Sequence, residues 1–163
     1  MKKLLTTFAL IALLLVSTSG FNEEKTTASI GEKAPDFVTK NQSTSFRLSE
    51  KAGRYVLLSF WKSSDAESRI RCKFYENCVR NASDKSKIEF VAVNFDSRQE
   101  LFEQIVKQDN LEAHTQFNVT GAIANHIRES YGLTGQLGTL LIDPDGRIIA
   151  ANPSKETIAR LAA

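Results

Sequence analysis

The chain is poor in the residues that build metal centres and disulfide frameworks. It has two cysteines, Cys72 and Cys78, six residues apart, and two histidines, His114 and His126, each standing alone. Neither histidine has a second ligand at metal spacing, and the cysteines fall on another segment, so no metal site is expected. A Gly-rich phosphate loop and a nucleophile elbow are both missing, so no cofactor is expected either. Charge of one sign is also lacking, with 21 basic against 19 acidic residues. Lys2 and Lys3 account for that excess, so the rest is neutral and implies no basic face and no nucleic-acid partner. Prolines number three, Pro35, Pro144 and Pro153. No repeat or low-complexity tract is present, so disorder is not expected away from the ends.

One long apolar run is present, and it is at the start. Met1-Lys2-Lys3 leads into an almost wholly apolar stretch, residues 4–16, followed by Ser17-Thr18-Ser19-Gly20. A basic start, a short apolar middle and small residues read as a secretory signal peptide, residues 1–20, cleaved near Ser19 or Gly20. The run is short for a membrane span. An uncleaved anchor is the alternative; no cysteine follows the run, so a lipoprotein-type anchor is not expected. Export places the protein in the periplasm or outside the cell, with no membrane span after cleavage. Residues 21–29 read as a polar linker, and residues 30–163 as one domain.

That domain is organised around residues 55–78, YVLLSFWKSSDAESRIRCKFYENC. Tyr55 to Trp61 is a short, β-branched and aromatic run after a glycine, the pattern of a buried strand. Ser64 followed three residues later by Glu67 predicts a capping box and a helix from Ser64 to about Ala82. Ile70, Phe74, Cys78 and Ala82 recur every four residues and predict its inward stripe, flanked by Tyr75 and Val79. In that reading Cys78 is a core residue, and Cys72, at the stripe's edge, is the more reachable thiol. Six residues along a helix is a rise of about 9 Å, too far for a disulfide's Cα span.

Beyond it, residues 88–95 read as a second buried strand. Ser97 with Glu100 predicts another capping box, on a helix with Leu101, Phe102, Ile105 and Val106 inward. Residues 115–119 could be a short strand. Thr120 can cap a helix through Tyr131, with Ile123, Ile127 and Tyr131 on one face. Residues 139–150 form a hairpin about Pro144-Asp145-Gly146. Asn152-Pro153 opens a last helix, with Asn152 as cap. Near the start, residues 30–37 lead to a hairpin whose second half is Phe46-Arg47-Leu48.

Three stretches together resemble one family. They are Gly31-Glu32-Lys33-Ala34-Pro35-Asp36-Phe37, the Phe60-Trp61 strand end, and Tyr131-Gly132-Leu133 with Leu141-Ile142-Asp143-Pro144-Asp145-Gly146-Arg147-Ile148. The chain resembles the thioredoxin fold, more closely the extracytoplasmic TlpA/ResA-like thiol-disulfide oxidoreductases of the AhpC/TSA redoxin type. The resemblance implies an α/β architecture: a central mixed sheet flanked by helices, with an N-terminal β-hairpin extension. It also implies a Cys-x-x-Cys at the helix N-terminus, where the helix field makes a thiolate. Those positions are Asp65 and Ser68. The family's acidic residue three positions later is Arg71, its helix-kinking proline is Lys73, and its cis-proline is Leu137, or Gly138 with a shorter loop. A peroxiredoxin's Thr-x-x-Cys is absent as well.

The expectation is an exported scaffold without catalysis. A groove of Trp61, Ser63, Asp65, Gln136, Leu137 and Gly138 would take a protein partner or extended peptide. Asp65 also has a plainer role, in the first turn of the helix. The alternative is an oxidoreductase in which Cys72 and Cys78 form a displaced redox pair.

Overall fold

The structure, a computed structural model, describes residues 28–163. The expected signal peptide and most of the expected linker lie outside them. Seven strands and four helices follow in order: β1 (Val38–Lys40), β2 (Ser45–Arg47), β3 (Tyr55–Trp61), α1 (Ala66–Arg80), β4 (Ile88–Asn94), α2 (Gln99–Gln108), β5 (Gln116–Asn118), α3 (Gly121–Ser130), β6 (Thr139–Ile142), β7 (Ile148–Ala151) and α4 (Lys155–Leu161). β1 and β2 form the N-terminal hairpin, with Val38 opposite Arg47. The others make a five-stranded mixed sheet in the order β5-β4-β3-β6-β7. β3, β4 and β5 run parallel, whereas β6 and β7 run antiparallel to their neighbours. This is the thioredoxin-like α/β architecture.

β3 is the middle strand, buried on both faces, which is why its sequence is a continuous apolar run rather than an alternating one. Val56, Leu58 and Phe60 enter one core with Phe37, Phe46, Val91, Ile127 and Tyr131. Leu57 and Trp61 enter the other with Tyr75, Val79, Phe90, Phe102 and Ile158, under α1, α2 and α4. Ser59 is the one serine in β3, and its hydroxyl is matched across the ladder by Thr139, with the two oxygens 2.9 Å apart. A buried hydroxyl without that partner would cost about 1–3 kcal/mol.

The expected caps are corrected. α1 begins at Ala66 with Asp65, not Ser64, as its N-cap. α2 is preceded by Arg98, which makes no side-chain cap, so Ser97 does not act as one. Thr120 holds the cap position of α3 without a side-chain bond. α4 is capped by Ser154, whose hydroxyl accepts from the Thr157 amide. Asn152 instead sits at φ +49° and accepts from the Thr139 amide at 3.0 Å.

The inward face of α1 is corrected too. Ser68, Cys72, Tyr75, Glu76 and Val79 are buried. Ile70 is 71% exposed and Phe74 43%. Cys72 is therefore the core thiol, and Cys78 is half-buried. On α3, Ile127 packs inward but Ile123 faces out, Ala124 taking the buried position.

Candidate functional site

The turn between β3 and α1, where the resemblance puts a dithiol, is tied by its own side chains. Asp65 Oδ1 accepts the Ser68 amide at 3.2 Å, and the Ser68 hydroxyl donates to the Asp65 carbonyl at 3.0 Å. Ser68 Oγ also accepts the Lys62 amide at 3.2 Å. Ser68 is 1% exposed, so its hydroxyl is buried with both donor and acceptor roles filled. Asp65 answers a free N–H of the first helical turn, which an N-cap aspartate does best. Neither residue carries a thiol, and each is engaged in the start of α1.

Ser63 is tied to the next strand. Its amide donates to Asp96 Oδ1 at 3.0 Å, and its hydroxyl donates to Asp96 Oδ2. Asp96 is 2% exposed. It also accepts from Asn94 Nδ2 at 2.9 Å, while Asn118 Nδ2 donates to the Asp96 carbonyl at 2.9 Å. These bonds offset the desolvation of a buried carboxylate. Sequence reasoning missed Asp96. Its signal was an aspartate just past an apolar parallel strand, at the carboxyl end of the sheet.

On the helix side, Glu67 Oε1 accepts from Arg71 Nη2 at 2.6 Å and from Gln136 Nε2 at 2.8 Å. The second bond joins α1 to the loop before β6. That loop is pinned at its far end, where the Phe60 amide donates to the Gly138 carbonyl at 2.9 Å. All peptide bonds among the described residues are trans. Arg71 pairs with Glu67 and not with Asp65.

Of the expected groove, Ser63, Asp65, Gln136 and Gly138 reach the surface, but Trp61 and Leu137 do not. Trp61 is fully buried and Leu137 is 6% exposed. Trp61 Nε1 donates to Gln116 Oε1 at 3.1 Å, and Gln116 Nε2 donates to Glu76 Oε1 at 3.1 Å. Glu76, 2% exposed, also accepts the Glu112 amide at 2.8 Å and has Lys73 Nζ 3.5 Å from its other oxygen. Lys73, at the family's proline position, thus serves this buried carboxylate. Trp61 is an internal hydrogen-bond donor, not a platform for a bound chain.

The two thiols are free. Cys72 lies against Gln116 Oε1, with its sulfur 3.7 Å away. Burial, and then the charge of Glu76, push its pKa far up, the reverse of an attacking thiol. Cys78 is raised as well, by burial, with Lys155 pulling the other way. α1 is unbroken between them, so about 9 Å of helix rise separates them, beyond the 4.4–6.8 Å Cα span of a disulfide. His114 is exposed, 3.5 Å from Glu112, and no group of three or more metal-ligating side chains occurs among the described residues.

Comparison with known proteins gives the family and the fold. The family model of the AhpC/TSA family matches residues 30–151. The thiol-disulfide oxidoreductase ResA of Geobacillus thermodenitrificans is 28% identical over 158 residues, covering 91% of this chain and 88% of that protein. A thioredoxin-like protein from Parabacteroides distasonis superposes with a TM-score of 0.68 at 31% identity, covering 83% of this chain and 96% of that one. The thioredoxin domain of a thiol-disulfide oxidoreductase from Bacteroides vulgatus superposes at 0.72 with 23% identity, covering 82% and 95%.

Proposed function

The chain belongs to the AhpC/TSA family, and on that premise we propose that it is an exported binding member of the thioredoxin-like thiol-disulfide oxidoreductases that has given up dithiol chemistry. The observation that carries this is the closed hydrogen-bond pattern of Asp65 and Ser68 at the helix start. The family's electron transfer needs a thiolate there and a second thiol to resolve the mixed disulfide. A carboxylate used as a cap and a buried hydroxyl supply neither. Cys72 and Cys78 do not replace them, since one is sealed in the core and the other lies about 9 Å further along the helix. Export is part of the proposal and is supported by the apolar leader at residues 4–16.

The binding surface is the one around Ser63, Asp65, Gln136 and Gly138, where a protein loop or extended peptide would lie against the α1 start and the loop before β6. The Glu67–Gln136 bond crosses that surface and must give way to, or be shared with, an incoming chain. The test is dithiothreitol-driven reduction of insulin by the purified protein. The expected rate equals that of a variant with Cys72 and Cys78 both replaced by alanine. A rate above that control overturns the non-catalytic reading.

A further inference from the structure

Four arginines among the described residues are half-buried: Arg54, Arg69, Arg71 and Arg128. Three of them face a carboxylate. Arg54 Nη1 lies 3.4 Å from Glu89, Arg69 Nη2 2.7 Å from Asp109, and Arg71 Nη2 2.6 Å from Glu67. Arg128, near the end of α3, has neither an ion pair nor a hydrogen-bond acceptor for its side chain among the described residues. What holds it is an aromatic ring: its guanidinium carbon lies over Phe95, 4.2 Å from the ring centre. An arginine over an aromatic face can keep its fork of N–H donors for another partner. Phe95 follows β4 directly. Its amide donates to the Trp61 carbonyl at 3.1 Å, and the next residue, Asp96, holds Ser63. Its ring shares a core with Phe60 and Leu137. α3 leads into the loop that carries Gln136 and Gly138, with the Leu133 amide bonded to the Arg128 carbonyl at 2.8 Å. These contacts put Arg128 at the border of the surface around Ser63 and Gln136. The acids of that surface already have partners. Asp65 has the Ser68 amide, Glu67 has Arg71 and Gln136, and Asp96 has Ser63 and Asn94.

We propose, resting on the binding role given above, that Arg128 sets the charge of the partner at that surface: an extended peptide segment carrying an aspartate or glutamate, whose carboxylate pairs with the Arg128 guanidinium. A carboxylate can accept two N–H groups of the fork at once, and the pair is charge-assisted. A glutamine in its place offers one acceptor oxygen and no charge, and a lysine is repelled. Phosphate is less suited. Asp96, next in the chain to Phe95, adds a negative charge close by, and a doubly charged group meets it more strongly than a singly charged one.

The test is an array of extended peptides with glutamate, glutamine, lysine or phosphoserine at matched positions, probed with the purified protein, with calorimetry on the peptides that bind. The glutamate series should bind roughly tenfold more tightly than the glutamine series. Arg128→Met, a side chain of similar reach without the charge, should bind both series alike, at the affinity of the glutamine series. Arg128→Lys keeps the charge without the fork and should retain only part of the preference. Both variants should keep the circular dichroism spectrum, since no hydrogen bond of the fold is lost. Equal binding of the glutamate and glutamine series overturns the role of Arg128. So does tighter binding of the lysine or phosphoserine series, or a glutamate preference that survives intact in both variants. Each of these leaves the binding surface itself in place. If no peptide of the array binds, the binding role falls together with that of Arg128. The insulin assay reports on catalysis separately.

Discussion

Cys72 and Cys78 share one helix and occupy different media. Cys72 is fully buried against Gln116 and Glu76. Cys78 borders a cavity of about 210 Å³ between α1 and α4, with Phe74 and Lys155 nearby. Alkylation of the native protein without reductant should therefore modify Cys78 first and leave Cys72 untouched until the fold opens. Because burial raises the Cys78 pKa, its rate at neutral pH should lie below that of a free cysteine and climb with pH. Peptide mass mapping at several times decides the order; early labelling at Cys72, or a bridged pair, would contradict it. The sequence points to the opposite order, and the reason is physical. Periodicity weighs apolar side chains, and Ile70, Phe74 and Cys78 make the more regular stripe. The face that packs contains Ser68 and Glu76, whose burial is offset by hydrogen bonds from Lys62, Gln116 and the Glu112 amide. Those last two partners lie some forty residues away, beyond any local pattern.

The same competition for partners fixes where elements begin. Ser64 and Ser97 lose the capping role because the turns before α1 and α2 run one residue further than a capping-box motif implies. Asn152 loses it because its oxygen is taken by the Thr139 amide across the sheet. Asp65, whose carboxylate does cap, is thus the structural residue at the helix start. Replacing Asp65 with alanine should cost roughly 1 kcal/mol, a fall in melting temperature of roughly 4 °C. Replacing Ser64 with alanine should leave it unchanged. Thermal denaturation of the two variants separates the assignments; equal losses would mean that the cap is shared. Strand existence, by contrast, was legible. β3 and β4 are seven-residue strands, mostly apolar because both of their faces are covered, and the Asp145-Gly146 turn between β6 and β7 puts glycine at φ +77°. β5, three residues at a sheet edge, leaves a fainter trace.

For the molecule as a whole, the fold was readable end to end because its signatures are local: a proline-led entry, a strand ending in Phe-Trp, a Leu-Ile-Asp hairpin. The polar interior was not, since Asp96, Glu76 and Gln116 find partners from separate elements. That interior also holds acids that the fold keeps protonated. Burial raises the pKa of Cys72, Tyr75 and Tyr131. The two phenols donate to backbone carbonyls, Tyr75 to Pro153 at 2.9 Å and Tyr131 to Pro35 at 2.6 Å. In the unfolded chain these groups ionise at ordinary values, about 8.5 for cysteine and 10 for tyrosine. Above those values the native state therefore binds more protons than the unfolded state, and unfolding free energy falls as pH rises. Stability from these three groups is fully present at neutral pH and should decline from about pH 8.5 upward, more steeply beyond about 10. The urea midpoint measured between neutral and strongly alkaline pH should follow that course. Replacing Cys72 with alanine should flatten the first part of the decline, and replacing Tyr131 with phenylalanine should flatten the second, whatever either change does to absolute stability. A midpoint that holds level through this range would show that these groups titrate alike in both states, and that the buried positions are open to water.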